Sequence, residues 1–127
     1  MRAALFFDSL EGEPVFTILD RNDIPVTLTR TTWFQKLLDP AKGHPEVKSY
    51  LSGIKETIQY PDFIYQSVRD PRSKLLYRAG LTSGKFARCY ILAVVKYVQE
   101  PLGLHGYVST VMLTDHLKKT GGLLWIR

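Results

Sequence analysis

With 127 residues, 45% of them hydrophobic, the chain is sized for one domain, residues 1–127, that buries its own core without disulfides or a structural metal. No apolar run nears the roughly 18 residues of a membrane span, and Asp8 and Glu11 interrupt the opening apolar stretch before a signal-peptide core is complete. The chain therefore reads as a cytoplasmic protein with no membrane partner. The formal charge of +5 is uneven: residues 1–64 carry 7 Lys and Arg against 9 Asp and Glu, and residues 65–127 carry 10 against 3, which places any attraction for polyanions in the second half.

In chain order, residues 1–14 hold an apolar run, Ala3 to Phe7, and an acidic turn ending at Pro14, an irregular opening segment. Val15 to Leu19 and Ile24 to Leu28 are short β-like runs around the turn-forming cluster Asp20–Asp23, which predicts a hairpin. Thr31 or Thr32 then caps a helix with Trp33, Phe34, Leu37 and Leu38 on one face, ended by Asp39 and Pro40. A second helix is predicted from Pro45 to Gln59, with Val47, Tyr50, Leu51, Ile54 and Ile58 at helical spacing. His44 stands at its N-cap, where it either caps the helix or, its pKa lowered there, serves as a neutral base.

Asp62 to Val68 and Leu75 to Arg78 read as paired strands across the polar turn Arg69–Ser73. Phe86 to Val98 is the predicted central strand. Its alternation points Ala87, Cys89, Ile91, Ala93, Val95 and Tyr97 to a helix-covered face, where Cys89 is a small buried hydrophobe. Phe86, Arg88, Tyr90, Leu92, Val94, Lys96 and Val98 point to an open face suited to a polyanion. His105 to Thr114 and Leu123 to Ile126 complete the strands. The expected fold is α+β, with N-terminal helices packed on one face of a four- to five-stranded antiparallel sheet.

No phosphate loop, dinucleotide turn, metalloprotease helix or zinc spacing is present, and the histidines at 44, 105 and 116 form no close pair. No metal and no cofactor are expected. RNA carries its own nucleophile, the 2′-hydroxyl, so cleaving it without metal needs only a base, an acid and cations around the phosphorane. The cations lie at Arg69, Arg72, Lys74, Arg78, Lys85 and Arg88, opposed only by Asp70, with Tyr77 and Phe86 among them. Beyond them, Asp115, His116, Lys118 and Lys119 form a second polar cluster.

The order of Trp33, His44-Pro45-Glu46, Thr57-Ile58 with Pro61-Asp62, Arg69-Asp70, Tyr77-Arg78, Val94 to Tyr97, Val108 to Thr110 and Gly122 to Trp125 resembles the phage barnase-EndoU-colicin-RelE-like nuclease family over residues 15–126. The resemblance implies a barnase- or RelE-like fold and metal-independent RNA cleavage, often by toxins held by an acidic antitoxin or immunity protein. It assigns His44 as base or acid, Arg78 and Lys96 to the phosphate, and Ser109 or Thr110 as a hydroxyl donor to a phosphate oxygen. Gln35 stands where relatives frequently carry histidine. Arg69, Arg72, Lys74, Arg88 and Tyr90 are the RNA-binding candidates, Tyr90 by stacking on a base. The resulting expectation is a metal-independent endoribonuclease; a non-catalytic RNA-binding or protein-interaction module on the same fold is the alternative.

Overall fold

The computed structural model describes residues 12–127, so all but the last three residues of the expected irregular opening segment lie outside the described residues. The hairpin is present as β1 (Phe16–Leu19) and β2 (Pro25–Leu28). Asp20 makes the turn: its Oδ1 accepts the N–H groups of Asn22 at 2.8 Å and Ile24 at 3.0 Å, as short acidic side chains do in tight turns.

The two predicted helices take tighter and wider windings than expected. Thr31–Leu37 winds as a π-helix, its i→i+5 bond running from the Leu38 N–H to the Trp33 carbonyl at 3.0 Å. Trp33 and Leu37 are buried, but the wider winding leaves Phe34 exposed beneath the Arg30 guanidinium. Thr29, rather than Thr31 or Thr32, supplies the capping hydroxyl, accepting the Thr32 N–H at 3.1 Å. The second helix begins as a 3-10 segment, Pro45–Tyr50, and becomes α1, Leu51–Gln59. Its Val47, Ile54 and Ile58 are fully buried, as their spacing predicts.

Five further strands follow: β3 (Phe63–Gln66), β4 (Ser73–Arg78), β5 (Tyr90–Glu100), β6 (Gly103–Thr114) and β7 (Leu123–Ile126). They form a seven-stranded sheet in the order β1-β2-β6-β5-β4-β3-β7, every pair antiparallel except β2 with β6. The α+β class stands. The sheet has seven strands rather than the expected four to five, and the hairpin joins it through a parallel contact of β2 with β6. β5 is the central strand, but it starts at Tyr90: Gly84–Phe86 form a 3-10 turn instead. Arg88 and Cys89 consequently leave the sheet. Arg88 is solvent-exposed, and Cys89, which lies before the strand with its N–H bonding the Phe86 carbonyl at 2.9 Å, is half-buried rather than buried.

From Tyr90 onward the alternation holds. Ile91, Ala93 and Val95 pack with Ile54, Ile58, Trp33 and Leu37 into the main core on the helix side. α1 lies so close that a Cβ on Gly53 would stand 2.8 Å from Ile91 Cδ1. The opposite face is only partly open. To reach the far edge of the sheet, residues 115–122 cross β5, β4 and β3, and Leu117 seals a second cluster of Tyr65, Leu75, Tyr77 and Leu92. The Lys118 N–H donates to the buried Tyr77 hydroxyl at 3.0 Å, and Gly121 lies so tightly on the Gln66 carbonyl that a Cβ would be 1.8 Å from it. We call residues 115–122 the strap.

Candidate nucleic-acid interface

The β3–β4 turn is built by local hydrogen bonding that aims its cations outward. Gln66 Nε2 donates to the carbonyls of Ser67, Pro71 and Ser73 at 3.0–3.2 Å, filling the turn from inside. Asp70 Oδ1 accepts the Arg72 N–H at 2.9 Å, a bond that, with the neighbouring Arg72 and Lys96 charges, holds this carboxyl below the usual carboxylate range. Arg69 and Arg72 are exposed. Lys96, on the strap side of β5, reaches Asp70 at 3.7 Å.

Between this turn and the strap lies a cleft of about 200 Å³. Its floor is Leu75, Leu92, Val94 and Met112; Arg69 and Lys118 stand on its rim with Ser67, Thr110 and Thr120. The described residues lining it include no carboxylate. Lys96 is two residues beyond Val94 on the same face, and its partner across β6 is Tyr107. Tyr107 stacks on His105, ring centroids 4.6 Å apart, and both contact Glu100: the Tyr107 hydroxyl donates to Oε2 at 2.7 Å and His105 Nδ1 is 3.8 Å from Oε1. His105 Nε2 lies 2.7 Å from Thr27 Oγ1, which is 2.8 Å from Thr17 Oγ1. A track bearing Lys96, the Tyr107 hydroxyl and His105, with the carboxylates of Asp70 and Glu100 beside them, thus runs from the cleft past Lys96 to His105, about 13 Å from Val94 to Val98 at strand rise.

The other sequence-derived candidates do not join this track. Arg78 pairs across to Ile91, which puts it on the helix side. There its guanidinium bonds the Tyr60 carbonyl, lies 3.0 Å from Glu56 and 4.0 Å from Asp62, and leaves Nε without a hydrogen bond. His44 belongs to the helix layer, where its side chain caps nothing and Nδ1 is 3.5 Å from Glu46. Ser109 is the extra residue of a β-bulge, since Val94 pairs with Thr110 and Val95 with Val108. Its freed carbonyl accepts the Lys36 ammonium at 2.6 Å. Lys74 points to the helix side, over the Tyr97 ring at 5.3 Å. Tyr90 packs edge-on against Phe63 and Tyr77 and so belongs to the second cluster, not to a stacking platform.

The strap therefore brings Arg69 and Thr110 of the original set to one cleft with Lys118, and Lys96 lies next to it on the same face, held by Asp70. Tyr107, like Tyr90, was a residue that could stack on a base; His105 and Glu100 were missed, although the alternation of β6 carried a signal: His105 and Tyr107 are two residues apart and share a face. Asp115 and His116 pair with each other at 2.8 Å in full exposure at the start of the strap, a bond that lowers the Asp115 pKa. A larger groove, about 740 Å³, lies on the helix side among Asp20, Arg21, Glu56, Tyr60, Arg78, Trp125 and Arg127. Its guanidinium groups are engaged: Arg21 stacks on Trp125, Arg78 pairs with Glu56, and Arg127 pairs with Asp62 at 2.9 Å. Among the described residues, no helix is long and apolar enough to cross a membrane. Comparison with protein-family models, with curated proteins and with solved structures finds no match to this chain.

Proposed function

We propose that this protein binds single-stranded RNA along the strap side of its sheet, with one base on the apolar floor of the cleft and the adjoining phosphates at Arg69, Lys118 and Lys96. The carrying observation is the cleft itself: an apolar floor for a base, two cations on the rim and no carboxylate among its described lining residues. Arg72 and Arg88, exposed at the periphery, steer the polyanion. On this reading the sheet and its helices form a barnase- or RelE-like unit to which hairpin β1–β2 is added.

Metal-independent cleavage of the bound RNA is the second reading, favoured by the placement of His105 beside Lys96 on the same face with Glu100 next to its Nδ1. In it the 2′-oxygen attacks the phosphorus as its proton passes to the histidine, Lys96 neutralises the phosphorane, and the 5′-oxygen takes a proton from solvent water as its bond to phosphorus breaks, leaving a 2′,3′-cyclic phosphate. The test is incubation of the purified protein with a labelled single-stranded RNA in excess EDTA, scoring binding by anisotropy and cleavage on a gel. Binding without cleavage supports the first reading alone. Cleavage that a 2′-deoxy sugar at the scissile position blocks adds the second, and parallel His105→Gln and His44→Gln variants decide which histidine serves. RNA that does not bind even at low salt refutes both.

A further inference from the structure

A row of residues crosses the strap side of the sheet at right angles to its strands. Lys96 of β5 pairs with Tyr107 of β6, Tyr107 with Thr27 of β2, and Thr27 with Thr17 of β1. At the hairpin the row ends in a hollow of about 190 Å³, separate from the cleft, whose described lining residues include Thr17, Thr27, Thr29, His105 and Tyr107 but no carboxylate, lysine or arginine. The backbone of Thr27 lies about 10 Å from that of Lys96, two strand spacings away.

The hydrogen bonds of this hollow run in one direction. Glu100 accepts at one end, where the Tyr107 hydroxyl donates to its Oε2 and its Oε1 faces His105 Nδ1. A carboxylate beside Nδ1 holds the ring hydrogen there and leaves Nε2 as an acceptor. The Thr27 hydroxyl, 2.7 Å from Nε2 on a buried residue, therefore donates to the ring, and the Thr17 hydroxyl, 2.8 Å from it, donates to Thr27. Every hydrogen of the chain is thus directed toward Glu100. The chain meets solvent at exposed Thr17, whose hydrogen is already used and whose oxygen accepts. A phosphate oxygen has no hydrogen to give such an end, whereas a hydroxyl has, and within a nucleic-acid strand the sugar's free hydroxyl is the 2′-OH of RNA. We infer that the hollow is a ribose subsite, in which the 2′-hydroxyl of the nucleotide whose phosphate lies at Lys96 donates to Thr17 Oγ1 and so separates RNA from DNA. The inference rests on the proposed binding of RNA along this face, and adds two residues to it: Thr17 by contact, and Thr27 by fixing where the Thr17 hydrogen points.

Anisotropy titrations of the full chain compare three labelled single strands of one uracil-containing sequence: RNA, its 2′-deoxy form, and its 2′-fluoro form, which keeps the RNA sugar pucker but has no hydrogen to donate. RNA is expected to bind at least about tenfold more tightly than either of the others. Thr17→Val, an exposed change on β1, is expected to abolish that preference, and Thr17→Ser, which restores the hydroxyl, to recover it; a urea midpoint close to that of the parent shows that each variant folds. Equal affinity for RNA and its 2′-deoxy form, a 2′-fluoro strand bound as tightly as RNA, or a preference that Thr17→Val leaves intact would each overturn the inference while the binding of RNA stands. Absence of RNA binding even at low salt overturns both together.

Discussion

Tyr97 joins three parts of the molecule, and its removal has a calculable pH signature. Its hydroxyl donates to Asp20 Oδ2 at 2.7 Å, its N–H to the Arg72 carbonyl at 2.9 Å, and Lys74 sits over its ring. Burial, then the bond to Asp20 and the charge of that carboxylate, hold the phenol far above the ordinary tyrosine range. Tyr97→Phe loses one hydrogen bond to an ionised acceptor, about 2 kcal/mol at neutral pH, while Asp20 keeps the N–H groups of Asn22 and Ile24. A raised folded-state pKa means that the contribution is complete below the unfolded value near 10 and is lost as pH rises. Above that point the unfolded wild type sheds a proton that the folded form retains, costing it about 1.4 kcal/mol per pH unit, a cost that the phenylalanine variant escapes. The stability difference should therefore shrink from about 2 kcal/mol at pH 8 to roughly zero near pH 11.4, with all shared titrations cancelling. Urea unfolding followed by circular dichroism across this range measures it directly. A difference that stays constant with pH would refute the assignment of a protonated, Asp20-bound phenol.

Arg78→Ala should destabilise by about 1 kcal/mol, through loss of the bond to the Tyr60 carbonyl and of the part-exposed pair with Glu56 of α1, with RNA affinity unchanged; unfolding and binding titrations on the same variant check both. Gly121→Ala should cost about 3 kcal/mol, because the Gln66 carbonyl occupies the place of the new Cβ, and its urea midpoint reads this. If Arg69, Lys96 and Lys118 each contact a phosphate, the slope of log affinity against log salt is about −2, and Arg69→Ala with Lys118→Ala reduces it to about −0.7. Half-buried Cys89 should react with a thiol reagent without denaturant, more slowly than a free thiol; complete protection until unfolding would place it back in the core.

What the sequence revealed and what it concealed divide along a physical line. The core positions of α1, the alternation of β5 from Tyr90 onward and the hairpin turn at Asp20 are set by local periodicity and local hydrogen bonds, which a single chain displays. The start of β5 was misplaced because Phe86 and Cys89 have strand-like side chains, yet Gly84, at φ 62°, commits the backbone to a turn there. The strap was invisible. Nothing in Asp115–Gly122 states that this run crosses three strands to the far edge of the sheet, and only that long-range path puts Lys118 and Thr110 on one cleft. The shared face of His105, Tyr107 and Lys96 was legible in principle, but it depends on the bulge at Ser109, which shifts the register of β6 by one residue.

The distribution of partnered charge argues for where function resides. On the helix side, Glu56, Asp62, Arg78 and Arg127 neutralise one another in direct pairs, and Arg21 lies on Trp125, so an incoming phosphate would have to displace contacts that hold α1 and β7 in place. On the strap side Arg72 and Lys96 share the single carboxylate Asp70, while Arg69 and Lys118 face an acid-free cleft. Partnered cations stabilise the fold and unopposed ones attract a ligand, because an anion arriving at the latter breaks nothing to bind. The cations of the second half of the chain are thus divided by the sheet between Arg78 and Arg127, which fasten the helix layer, and Arg69 and Lys118, which stand on the rim of the cleft.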